Sequence, residues 1–238
     1  MLRYVVLVLI GLFASGALAQ QAPPPDAAPA PSSPAPSSPP ASVQPSGAVV
    51  SMEEPLPGDH WTYEVRDEIA GTITATRANV VTEVTAADIG LRFKIVGTPN
   101  EGINVYDRSW NLMDSRPWKY SPNDGTGIRT PLTIGKTWTF QSNSVNSSNG
   151  NVWKRSGTSK VVGQETVTTR AGTFETFKIE TTFSAQNVND PTRKEEITQL
   201  TWYAPAIDHW VKRTFVSRAD KHLMANNSME LVEYGRRQ

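Results

Sequence analysis

The sequence predicts an all-β protein: a strongly curved antiparallel sheet or barrel-like meander with little helix. Three observations lead there. Apolar and polar residues alternate with period two in several runs, the pattern of strands with one wet face. Those runs are rich in Thr, Val and aromatic residues, which suit a pleated surface. Glycine, asparagine and proline interrupt them at short spacing, as turns require.

In chain order, Trp61, Tyr63 and Val65 alternate with Thr62, Glu64 and Arg66, and Leu91, Phe93 and Ile95 alternate with Arg92 and Lys94. Phe177, Ile179, Thr181 and Phe183 alternate with Lys178, Glu180 and Thr182. Turn signals fall at Ala70-Gly71, Ile89-Gly90, Asn100 to Gly102, Asn123 to Gly127, Asn149-Gly150, Ala171-Gly172 and Asn189 to Pro191. About ten to twelve strands follow from these criteria. Pro205 ends a strand because it cannot donate a ladder hydrogen bond, and Trp202 and Tyr203 before it are expected on opposite faces, one in the core and one nearer the surface. Residues 219–225 are expected to form one or two helical turns.

The chain also echoes itself. Gly58-Asp59-His60-Trp61-Thr62-Tyr63 is matched by Gly135-Lys136-Thr137-Trp138-Thr139-Phe140, each a glycine turn releasing an aromatic-Thr-aromatic strand. The expected halves are 56–131 and 132–235, lying side by side in one curved sheet or closing a barrel. Curvature protects edges and creates a concave face.

From Val167 to Tyr234 the order Ala171-Gly172-Thr173-Phe174, a strand to Phe183, Trp202-Tyr203-Ala204-Pro205, Val211-Lys212-Arg213 and Glu230-Leu231-Val232-Glu233-Tyr234 resembles the C-terminal part of a broad group of uncharacterised exported β-rich proteins of Gram-negative bacteria. The resemblance implies fold and compartment and carries no mechanism. Asp208-His209 stands where such proteins often have glycine or another small residue.

The N-terminus points to the same compartment. Arg3, an apolar run from Tyr4 to Phe13 and Ala17-Leu18-Ala19 form a secretory signal, expected over 1–19. Its apolar stretch is shorter than the roughly 20 residues of a bilayer-spanning helix. Residues 20–48 hold 10 of the 18 prolines and a single charge, Asp26. Such a segment cannot bury enough apolar surface to offset its ordering entropy, and is expected to be a disordered Pro/Ala/Ser linker. The β-domain is expected over 49–238, long enough for one good core.

Twenty-three basic and 23 acidic residues balance, so no basic field draws nucleic acid. Cysteine is absent, which removes thiol catalysis, cysteine–zinc sites and redox exchange. No G-x-S-x-G, S-x-x-K, H-E-x-x-H, Walker loop or G-x-G-x-x-G occurs. Asp59-His60-Trp61 and Asp208-His209-Trp210 share the tripeptide D-H-W. If they met, His60 and His209 with two carboxylates could ligate a metal, but neighbouring residues of one strand point to opposite faces, so the expected site holds no metal and no cofactor.

Seven tryptophans remain as a clue. Trp61, Trp138 and Trp202 are expected in the core. Trp110, Trp118 and Trp153 lie beside polar, turn-rich segments with Arg108 and Arg116 close by, and are expected to form an exposed or groove-lining ligand set. The function expected from all this is non-catalytic binding or scaffolding in the cell envelope, periplasmic or secreted, with a lipid, glycan or protein partner, no nucleic acid and no stable membrane span after cleavage. Two alternatives stand beside it: an envelope-directed hydrolase with a His/Asp site, and a membrane-anchored accessory protein if the leader stays uncut. N-terminal sequencing of the exported protein decides the last point: the first residue is expected to be Gln20, and a chain still starting at Met1 rejects cleavage.

Overall fold

A computed structural model describes residues 52–236; the expected leader (1–19) and Pro-rich linker (20–48) lie outside the described residues. Twelve strands follow one another: β1 (His60–Asp67), β2 (Thr72–Val84), β3 (Asp88–Ile95), β4 (Glu101–Asp107), β5 (Leu112–Ser115), β6 (Trp118–Ser121), β7 (Thr137–Asn146), β8 (Val152–Thr169), β9 (Gly172–Asn187), β10 (Lys194–Ala204), β11 (His209–Ala219) and β12 (His222–Gly235). Each pairs antiparallel with its neighbours in sequence, and β12 returns to pair with β1, closing a barrel. The helical content among the described residues is one 3-10 turn, Pro205–Ile207. Closure pairs the first and last strands of the meander, which would otherwise be its two open edges.

Alternation decides which side chains face inward. In β7 exposed and buried positions alternate strictly from Thr137 to Ser144, with Trp138, Phe140, Ser142 and Ser144 turned inside. Registered partners share a face, so the inner row continues through Ser159, Gly157, Arg155 and Trp153 of β8 and Thr181, Phe183, Ala185 and Asn187 of β9. Gly157 is needed here: a Cβ would lie 2.4 Å from Phe183 Cβ and 2.5 Å from the Thr182 carbonyl oxygen.

One end of the barrel is plugged. Met52, Trp61, Ile89, Trp110, Ile207, Trp210 and Leu231 form a continuous buried cluster there. At the other end the inward-facing Asp67, Ile95, Trp118, Asn146, Glu195 and Asn227 are all only half-buried. The plugged end is tied at the seam, where Arg236 donates to both oxygens of the fully buried Asp59, at 2.9 and 3.0 Å.

β1 and β7 begin in the same way. Gly58 and Gly135 both take positive φ, 96° and 87°. Gly58 N donates to Val81 O at 2.8 Å and Val81 N to Asp59 O at 2.8 Å; Gly135 N donates to Val161 O at 2.9 Å and Val161 N to Lys136 O at 2.9 Å.

Two expectations are corrected. Residues 219–225 are a strand turn, not helix: Asp220 and Lys221 take φ of 49° and 66° and join β11 to β12, a left-handed pair suited to a two-residue hairpin. Trp202 and Tyr203 do lie on opposite faces, but neither is nearer the surface: both are buried. Tyr203 faces inward, while Trp202 is covered because the β8–β9 hairpin runs past the barrel wall and folds over its outer face. There the Glu165 carboxylate accepts from Trp202 Nε1, Phe174 packs 5.5 Å from Tyr234, and Arg170 pairs with Glu64 at 2.6 Å.

The crowding at Gly157 yields a matched test. Gly157→Ala is expected to lower stability by about 1–3 kcal/mol, the usual cost of overpacking. Gly163→Ala, whose Cβ would meet nothing within 4 Å, is expected to stay within about 0.5 kcal/mol of the parent. Urea midpoints measure both.

Candidate functional site

The candidate site is the barrel interior, which changes character along its axis. Beneath the plug Trp61, Tyr63, Val81 and Leu91 are buried. Further along, the inner rows carry Asn79, Asn104, Ser142, Ser144, Thr181 and Gln199, all buried. Among them stand three arginines, Arg77 on β2, Arg155 on β8 and Arg213 on β11.

Register places them. Arg77 lies opposite Tyr63, Arg155 opposite Ser142, and Arg213 opposite Thr201, each beside a buried inner-facing residue. The guanidiniums rest on ring faces: Arg77 4.0 Å from Phe93, Arg155 4.5 Å from Phe183 and 5.2 Å from Tyr120, Arg213 3.6 Å from Trp210. Arg77 Nε donates to Asn79 Oδ1 at 3.0 Å and Arg213 Nε to Thr201 Oγ1 at 3.2 Å. Among the described residues none of the three has a carboxylate partner. Burial lowers the affinity of Arg77 and Arg213 for their protons, yet an arginine stays charged. Arg77 and Arg213 are surrounded by protein but keep part of their surface accessible. A closed sheet of twelve strands encloses more cross-section than the eight-strand barrel that side chains just fill.

The plug is built from the second D-H-W tripeptide. His209, 1 % exposed, sits 4.3 Å from Trp61, 4.5 Å from Trp110 and 3.8 Å from Trp210, ring to ring. Its Nδ1 accepts from Trp210 N at 3.0 Å. Burial first, then the nearby Arg213 charge, holds its proton affinity well below the usual histidine value, so it is a neutral packing ring. His60 lies elsewhere, half-buried, 3.9 Å from Glu233. Among the described residues no three His, Asp or Glu side chains converge as metal ligands.

Asp208, in a left-handed turn with φ 42°, ties two loops together. Its carboxylate accepts from Tyr203 OH at 2.6 Å and from Trp110 Nε1 at 3.1 Å. Burial raises its pKa from 3.8 to about 6, against the opposing pull of those two bonds and of Arg108.

The five expected ligand residues do not form one set. Trp110 is 2 % and Trp153 also 2 % exposed, so neither is a surface ring: inward-facing register and the plug turn bury them. Trp118 is half-buried and shares the open end with Trp153; Arg108 and Arg116 are exposed on turns at opposite ends. Missed from the sequence were Arg77, Arg155 and Arg213. Each falls in the buried phase of a strand (Ala75-x-Arg77-x-Asn79-x-Val81, for example), and a charge in that phase is the available signal.

No protein-family model matches the chain, and no curated protein matches it. Among solved structures it is similar to a protein of Parabacteroides distasonis described as a lipoprotein, with TM-score 0.54 and 13% identity, covering 78% of this chain and 99% of that one. That likeness shows the fold. An exported-type protein of Bacteroides fragilis with a YmcC-like fold matches with TM-score 0.48 and 16% identity over 79% of this chain and 100% of its own. The hypothetical lipoprotein YmcC of Escherichia coli matches with TM-score 0.44 and 10% identity over 75% and 85%.

The raised Asp208 pKa fixes a direction with pH. The folded protein holds this proton up to about pH 6, the unfolded chain only to about the ordinary 3.8. Between these values the folded state binds more protons, so this group's contribution to stability falls as pH rises and is level above about 6. Denaturation midpoints across this window are expected to show that fall, and Asp208→Asn is expected to flatten it.

Proposed function

We propose that this protein is an exported, non-catalytic binding protein of the cell envelope, periplasmic or secreted, and that its ligand lies inside the barrel. The three interior arginines without carboxylate partners carry the reading. Taking a guanidinium out of water costs several kcal/mol, and cation–π contact returns only about 0.5–2 kcal/mol. Stability alone favours leucine or methionine at such positions; a ligand with accepting groups gives the arginines a use. The open end supports the same reading, since its hairpins expose Ile69, Val96, Val188, Leu223 and Met224, a rim that suits an amphiphilic envelope molecule. The leader over 1–19, the linker over 20–48 and the resemblance to exported β-rich proteins supply the compartment. The matched turns before β1 and β7 support an internal repeat of 56–131 and 132–235 as the origin of the closed barrel.

Native mass spectrometry of the full chain taken from its own envelope is expected to show a bound molecule that leaves on unfolding. Arg213→Met is expected to raise the denaturation midpoint, as replacing buried charge often does, while lowering the bound fraction. A ligand-free mass, or a less stable Arg213→Met variant with its cargo intact, contradicts the proposal.

A further inference from the structure

Three buried hydrogen-bond donors on the β8–β9 wall have no acceptor: Trp153 Nε1, Arg155 Nη1 and Asn187 Nδ2. Their residues are 2 %, 5 % and 2 % exposed. Trp153 and Asn187 are registered partners, with Cα atoms about 4.5–5.5 Å apart in an antiparallel pair. Arg155 is two residues along β8, on the same inner face and roughly 7 Å away. All three therefore occupy one patch of the inner wall, just inside the open end.

The patch offers donors only. Indole and guanidinium nitrogens cannot accept. The Asn187 amide is oriented by its own turn, because Oδ1 accepts from Asn189 N at 2.9 Å and Asp190 N at 3.0 Å. That leaves Nδ2 facing away from the turn with nothing to bond. Arg155 lies against Phe183 and Tyr120 and forms no ion pair among the described residues. A second cation, Arg193, rests 5.2 Å over the Trp153 ring. A titratable acid, Glu195, faces inward two strands away from Arg155, with Ala185 between them. Burial raises its pKa, and its carboxylate accepts from Ser217 Oγ at 2.9 Å. Leaving a buried donor unmade is costly, more so when it is charged, and an oxyanion is the acceptor that matches such donors, through charge-assisted bonds.

We infer that Trp153, Arg155 and Asn187 form a binding site for an oxyanion, a carboxylate or phosphate group, that enters from the open end. This rests on the reading of the interior as a binding chamber and names the chemistry of what it holds. Arg155 supplies the balancing charge, Trp153 Nε1 and Asn187 Nδ2 fix the oxygen positions, and the Phe183 and Tyr120 faces border the group behind the anion.

The test is an indole N–H nuclear magnetic resonance titration of the full chain, labelled with 15N-tryptophan. Trp153→Phe assigns the resonance. The probes are glucuronate, decanoate and inorganic phosphate, which separate a sugar acid, an amphiphile and a free anion. At least one probe is expected to shift the Trp153 indole saturably. Arg155→Met is expected to weaken that binding by roughly tenfold or more. Asn187→Asp is a second variant that keeps the oxygen holding the 188–190 turn, removes the donor and adds a repelling charge; it is expected to abolish the shift while the other indole resonances stay in place. A probe that moves other inward indoles but not Trp153 overturns the anion site and leaves the chamber standing. If no probe moves any indole, or Asn187→Asp binds as well as the parent, the three donors are satisfied by water and the site is rejected.

Discussion

Everything in this molecule depends on the pairing of β1 with β12. His60 to Asp67 bonded along Asn227 to Gly235 turns a meander into a closed wall, and closure gives each strand one inner and one outer face. The Arg236–Asp59 pair sits at that seam with the carboxylate fully buried. Removing one partner of such a pair leaves an uncompensated buried charge, which is why breaking one is far costlier than never having built it. The seam also brings the first strand against the last, so closure is the most non-local step in the chain.

Closure then sets a filling problem, solved differently at the two ends. At the plug, Trp61, Trp110 and Trp210 surround a neutral His209, and Asp208 binds the β4–β5 turn to the β10–β11 turn. Aromatic rings fill volume with few rotatable bonds, so the plug is rigid as well as apolar. Past mid-barrel the filling is polar and charged. A fold that needed only stability would have continued the aromatic packing; the change in composition marks where binding is proposed.

The sequence made the strands legible because inner and outer residues differ in polarity. Trp61-Thr62-Tyr63-Glu64-Val65 and Thr137 to Phe140 announce their faces directly. The turn at Asp220-Lys221 was obscured because neither residue is glycine, although both adopt positive φ. Trp202 misled because its cover is the distant β8–β9 hairpin, a tertiary contact invisible to local pattern. Trp110 and Trp153 are expected from their polar neighbours to be exposed or groove-lining, yet in a strand or plug turn those neighbours are the outer face of the same wall. Arg155 was passed over for the opposite reason: a charge suggests solvent, and only its phase with Trp153, Ser159 and Val161 shows that it points inward.

The most direct measurement is a crystal structure of the protein purified from its own host, read inside the barrel. A non-protein group with an oxygen within hydrogen-bonding distance of Trp153 Nε1 and the Arg155 guanidinium is expected there. A barrel interior closed by repacked side chains, or holding only bridging water against those donors, contradicts it.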